Sequence, residues 1–592
     1  MQIGESKIFE NKVTLRIKNR ICETEEELLS SDLFINVLNR AIRQLSIKHS
    51  PLLGIFGKRD ITNYDVMLLL KTLHFLVKMQ GDLVPRIVKG SELFFKDKFL
   101  FNDFIEYVYN YWRSFDRFLV CDSRGDELDK RPYRTFNTTI ETLSNLVRRV
   151  YRDLQENITG IHPRVYRQLR AGAEFAAIAL PINVPQPAPI YQKLNKVSII
   201  RQILLNPPLI LNPPMNKRTG KFQRIDFNPL DTIDINEKEW LCYPCRVGTL
   251  LILVYFHEKF YELGFSLCNL FDLADDADLQ RKPDAVYLFG VPGEALDSYS
   301  KFPTVFYDDT MRDIIVAAVP GKDEFGYFGY LKKMILTLHN IRVMKSGDMP
   351  FHGALVRLFV SDDKAKTILI IGDTGTGKSE TLEALRTIGD EYIHDFVIVA
   401  DDMGSLTFDD KGVMRGYGTE TGAFLRLDDL HPGYAFGQID RAIIMNPSQV
   451  NARIILPVTN HDVITHGYEI DFVLYANNYE EPDDDHPVIE RFENEEKAIS
   501  VFREGTAMSK GTTTSTGLVH SYYANVFGPP QYKALHEEIA PRFFKKFFEN
   551  AIFVGQIRTR LGIPGWEQKG PEEAARELLK IVCHEEGGGE SK

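Results

Sequence analysis

The stretch Ile370–Thr381, IIGDTGTGKSET, decides how the rest of the chain is read. The apolar run Ile368–Ile371 predicts a strand, and ETLEALRTIG, starting at Glu380, predicts a helix. Between them Gly372, four residues, Gly377, Lys378 and Ser379 fit the Walker A spacing. In that motif backbone N–H groups and a helix N-terminus cradle phosphates, the lysine reaches the β/γ-phosphates and the hydroxyl binds Mg²⁺. Gly372, Asp373, Thr374, Gly375, Thr376, Gly377, Lys378, Ser379 and Glu380 are therefore the candidate nucleotide site.

A phosphate loop needs an acid for its metal ion. The strand-like run FVIVADD ends in Asp401 and Asp402, 23 and 24 residues after Lys378. An apolar strand ending in two carboxylates sets hard oxygen ligands beside phosphates, and a surface turn is the plain alternative. Further upstream, His352 precedes an apolar strand, and Lys332 and Lys333 open an apolar helix. Taken singly, a lone histidine and a lysine pair carry little chemistry.

The 592 residues exceed one ordinary core, so two or more domains are expected. The longest apolar stretch, TLLILVYF, is short of a membrane span, and MQIGESKIFENK lacks the apolar core of a signal peptide, so a cytoplasmic enzyme without a membrane partner is expected. Six cysteines fit a reducing compartment, and the lone pair Cys242 and Cys245 has no second pair to complete a zinc site. A net charge of −11 gives no attraction to nucleic acid.

Apolar residues spaced by three and four from about 24 to 175 predict an all-helical N-terminal region, 1–190, a candidate surface for a protein partner. Proline clusters place a boundary between Pro181 and Pro214. Beyond it strands and helices alternate, predicting α/β or mixed α+β architecture, with domains at 191–345 and 346–585 and a polar tail at 586–592.

The order of these motifs resembles the ATP-type phosphoenolpyruvate carboxykinases. That family has Tyr-Gly-Gly-Glu-Met-Lys-Lys, a histidine nineteen residues later, then the phosphate loop and a Gly-Asp-Asp. Here YFGYLKK ends at Lys333 and His352 lies nineteen residues on. The resemblance implies a carboxykinase-like fold over about 215 to 585, Mn²⁺ on Lys333, His352 and Asp402, and Mg²⁺ near Ser379 and Asp401. It also implies Arg453, in VNARIILP, as the arginine on the transferring phosphoryl group, and Tyr327 as the tyrosine that contacts substrate. TAMSKGT corresponds to the mobile lid, with Thr506, Ala507, Lys510, Gly511 and Thr512.

Several departures bear on the reaction. The family's arginine for the substrate carboxylate is absent as such, leaving Arg218, Lys221 or Arg224 as substitutes. The loop reads Lys-Ser-Glu, as in HPr kinase, where the carboxykinases have Lys-Thr-Thr. The resemblance thus implies nucleotide-dependent conversion of oxaloacetate, a small dicarboxylate, to phosphoenolpyruvate and CO₂, with Lys333, Lys378, Arg453, Asp401 and Asp402 as catalytic groups. ATP is the implied donor, with GTP and pyrophosphate left open. The alternatives are a kinase of another small-molecule or protein hydroxyl and a non-catalytic nucleotide sensor.

Overall fold

The computed structural model describes all residues except 1–4, 18–21, 59, 123–131, 167, 220–221, 300–302, 362–363, 389–392, 394, 431–438, 510–516 and 585–592. The chain forms two compact units, one of Met1–Ile182 with Ser198–Leu209 and one of Asn183–Val197 with Ile210–Lys592. The architecture is mixed α/β. The expected domains 191–345 and 346–585 both lie largely in the second unit, and the tail 586–592 lies outside the described residues.

The first unit is not all-helical. The expected helices are present at Asp32–Ile47, Asn63–Leu76, Lys98–Arg113 and Pro132–Thr159. They pack with five strands, Glu5–Ile8, Lys12–Ile17, Asp116–Asp122, Phe175–Leu180 and Ile199–Leu205, paired in that order. The three central strands are parallel to one another, and the two outer pairings are antiparallel. Strands such as FAAIAL are buried nearly throughout, so they lack the polar-apolar alternation that separates a strand from a helix in sequence.

In the second unit one sheet runs in the order Trp240–Val247, Leu250–His257, Ala285–Val291, Ile314–Pro320, Thr304–Asp309, Phe222–Ile225. Cys242 and Cys245 sit fully buried on its first strand, in unbroken register with Tyr255 and Ile252. Three residues apart on a strand, they point to opposite faces and share no metal. The second sheet is built around the long strand Met349–Ser361, which pairs antiparallel with Lys364–Ile371, Asp395–Ala400 and Met403–Phe408. Lys364–Ile371 continues the sheet in parallel to Phe472–Asn477, and that strand to Phe553–Arg558. One face of this sheet is covered by the helices Lys378–Ile388 and Lys569–His584, whose Leu382, Leu385, Ala575 and Leu578 join Ile368, Ile370 and Leu474 in one core. Among the described residues, no helix is long and apolar enough to cross a membrane.

Candidate functional site

Sheet register brings the separated motifs together. The N–H of Gly372, first residue of the phosphate loop, donates to the His352 carbonyl at 3.1 Å, and the Gly353 N–H donates to the Asp402 carbonyl at 3.0 Å. One strand thus sets His352 between the loop and the acidic pair.

The loop itself requires its glycines. Gly377 has φ +92°, and a Cβ there would stand 2.6 Å from Thr559 Oγ1. The Thr559 hydroxyl donates to the Thr376 carbonyl, and Asn478 Nδ2 donates to the Gly375 carbonyl at 3.0 Å. Thr376 Oγ1 closes the turn onto the Asp373 carbonyl, and the Thr374 N–H is held by the Asp373 carboxylate. Lys378 is buried, and its ammonium donates to the carbonyls of Gly372 at 2.6 Å and Asp373 at 2.9 Å. Burial lowers its pKa, against the pull of Asp402 and Asp373. Ser379 is exposed and Glu380 lies in the first turn of Lys378–Ile388, where an acid suits the helix dipole.

Asp401 and Asp402 follow the strand Asp395–Ala400 directly. Asp402 Oδ1 lies 3.0 Å from His352 Nε2, and its Oδ2 accepts from Lys332 Nζ at 2.6 Å. His352 Nδ1 donates to the carbonyl of Ala524, which leaves Nε2 as the nitrogen turned to Asp402. That carbonyl is delivered by three consecutive non-glycine residues with positive φ, Tyr523, Ala524 and Asn525, at 45°, 54° and 62°. Backbone of this kind costs energy and concentrates at functional sites.

The two lysines of the pair have opposite characters. Lys332 is 2 % exposed and held between Asp402 and Glu420, at 2.6 and 3.0 Å; burial opposes its charge, but the two carboxylates raise its pKa overall. Among the described residues Lys333 has no such pair. Burial, then the neighbouring Arg218 charge, push its ammonium down to about 8, and its Nζ sits 5.1 Å from the centre of the Phe527 ring, which also flanks His352 at 6.0 Å. Burial raises Asp401, with Asp402 adding to it, whereas Lys332 and His352 overcome burial to hold Asp402 well below the usual carboxylate range. Glu420, buried beside these acids, is pushed up to about 7.

Arg218 is half-buried over the Phe222 ring, and the adjoining Thr219 N–H donates to Tyr330 on the helix that carries the lysines. Arg224 instead stacks on Tyr532, 4.9 Å from its ring centre. Tyr327 is buried at the N-terminus of the same helix. Arg453 lies 5.3 Å from the Phe424 ring centre, and its buried Nε has no hydrogen-bond partner among the described residues. Thr506 and Ala507 lie in the hairpin Thr506–Ser509 with Gly517–His520. Lys221, Lys510, Gly511 and Thr512 lie outside the described residues.

The donors Lys333, His352 and Asp402 suit a divalent cation. Two ring nitrogens that both face acceptors call for a cation at Nε2, either a proton or a metal ion, and a lysine ligates once its amine is neutral. Among the described residues no group of three or more His, Cys, Asp and Glu gathers to hold a metal. The sequence gives Glu420, Asn478 and Thr559 no role. Their only mark is a polar residue within an otherwise apolar or glycine-rich run, as in GYGTETGAF and FVLYANN. No family model and no curated protein matches the chain.

Proposed function

We propose that the chain is a phosphoenolpyruvate-carboxykinase-like enzyme that decarboxylates oxaloacetate and phosphorylates the resulting enolate from a nucleoside triphosphate. The observation that carries this reading is one cluster across the strand from a phosphate loop: His352 Nε2 faces Asp402 Oδ1 at 3.0 Å, and the half-buried Lys333, whose charge desolvation weakens, shares the Phe527 ring with His352. A kinase that needed only a charged phosphate clamp would gain nothing from weakening that charge.

In this reading Lys333, His352 and Asp402 hold Mn²⁺, while Ser379 and Asp401 hold Mg²⁺. These ions supply Lewis-acid polarisation of the oxaloacetate oxygens and shielding of the phosphates. Arg218, whose charge reaches Lys333, binds the carboxylate that remains in the product. The carbon–carbon bond to the departing carboxyl group breaks, CO₂ leaves, and the electron pair becomes the enolate. Its oxygen bonds to the γ-phosphorus as the bond to the β-phosphate oxygen breaks. Lys378 exchanges its two loop carbonyls for phosphate oxygens, and Arg453 offers its free Nε to the same group. The hairpin that begins at Thr506 excludes water, which would otherwise protonate the enolate to pyruvate. Buried Tyr327 packs at the substrate end of the lysine helix.

The test is phosphoenolpyruvate formation from oxaloacetate by the purified chain with Mn²⁺ and Mg²⁺, with ATP, GTP and pyrophosphate offered separately. Product is expected with one donor and is lost in His352→Ala. Tight nucleotide binding without product would overturn the reading and point to another phosphoryl acceptor.

A further inference from the structure

Glu420 stands outside the three proposed metal donors, yet the site's charge balance depends on it. It is buried at 7 % exposure just before the strand Gly422–Arg426, and its Oε1 lies 3.0 Å from Lys332 Nζ. Lys332 is buried more deeply, at 2 % exposure, and reaches Asp402 Oδ2 at 2.6 Å. The other oxygen of Asp402 is the one that faces His352 Nε2. The ammonium is thus shared between two carboxylates, only one of which belongs to the donor set. The ring of Phe424, 5.8 Å from Lys332 Nζ, forms another side of its pocket.

We propose that Glu420 is a positioning residue that acts through Lys332 to keep the Asp402 carboxylate available to a divalent cation; this rests on the metal-site reading above. The physical reason is competition. An ammonium paired with Asp402 alone would place a full positive charge against any metal ion on that carboxylate. With Glu420 as a second counter-charge, Lys332 fixes the orientation of Asp402 through Oδ2 and leaves the negative charge at Oδ1 for the cation. Outer partners of metal ligands commonly change affinity by about ten- to a hundredfold when removed.

The experiment is Mn²⁺ titration of the full chain without nucleotide, read by the electron paramagnetic resonance signal of free Mn²⁺, on the wild type, Glu420→Gln, Lys332→Met and the double variant. Thermal melting without metal reports folding of each. Glu420→Gln is expected to weaken Mn²⁺ binding about tenfold. In the Lys332→Met background the same change is expected to have an effect under about twofold, because the group through which it acts is gone. The double variant removes one positive and one negative charge together, so it keeps the comparison with Lys332→Met open if Glu420→Gln alone is unstable. Equal Mn²⁺ affinity in wild type and Glu420→Gln overturns the role of Glu420 and leaves the metal site standing. An equal loss in both backgrounds also overturns it, since Glu420 would then act without Lys332. A wild type that takes up no Mn²⁺ overturns the metal-site reading itself.

Discussion

At the scale of single residues, burial decides what each ionisable group can do. Lys332 and Lys333 are neighbours in sequence, yet one is held charged by two carboxylates and the other is driven toward its neutral amine. The same physics acts on His339 and His536, both buried, whose protonated forms burial disfavours until each falls to about 4. An unfolded histidine takes up a proton near 6.5, so below that pH the unfolded chain binds protons that the folded chain refuses. These groups therefore contribute stability that is fully present above 6.5 and is lost as pH falls toward 4. Between pH 7 and 5 the loss is on the order of 2 kcal/mol for each histidine. Denaturant unfolding at the two pH values, wild type against His339→Gln and His536→Gln, checks this, because Glu420, raised to about 7, acts in the opposite sense; a pH dependence unchanged by both substitutions would mean that neither histidine is held neutral.

At the scale of elements, the buried Asn478 side chain substitutes for a missing strand partner. It accepts from the Met508 N–H at 2.8 Å, donates to the Met508 carbonyl at 2.9 Å, and donates to the Gly375 carbonyl in the phosphate loop at 3.0 Å. The loop and the hairpin that starts at Thr506 are thereby fastened to one side chain. Asn478→Ala leaves three backbone groups without that partner and is expected to cost about 2 kcal/mol or more. Its specific signature is faster hydrogen exchange at the Met508 amide. Unchanged protection at Met508 would show that other contacts hold the hairpin in place.

The phosphate loop is legible in sequence because its geometry is local: Gly377 needs its left-handed backbone, and Lys378 must follow it. His352 and Asp402 are legible only through their order along the chain, since their contact spans 50 residues. Glu420 and Asn478 are not legible, because nothing near them in sequence announces partners 88 and 103 residues away, Lys332 and Gly375. The strands Asp116–Asp122 and Phe175–Leu180 escape for a different reason. Both are mostly buried, and a short apolar run carries no period by which to tell strand from helix.

At the scale of the whole molecule, the second unit gathers the phosphate loop, the acidic pair, the lysine helix and Arg218 within one fold. We propose that these groups join CO₂ chemistry to phosphoryl transfer, which no simple kinase does. The most direct measurement runs the reaction backwards, supplying phosphoenolpyruvate, ADP, Mn²⁺ and ¹³C-labelled bicarbonate to the purified protein. We predict ¹³C in the new carboxyl group of oxaloacetate, with ATP formed in equal amount and both products lost in Lys333→Met. ATP formed from phosphoenolpyruvate without label in any four-carbon acid, under conditions where authentic oxaloacetate survives, would contradict the account.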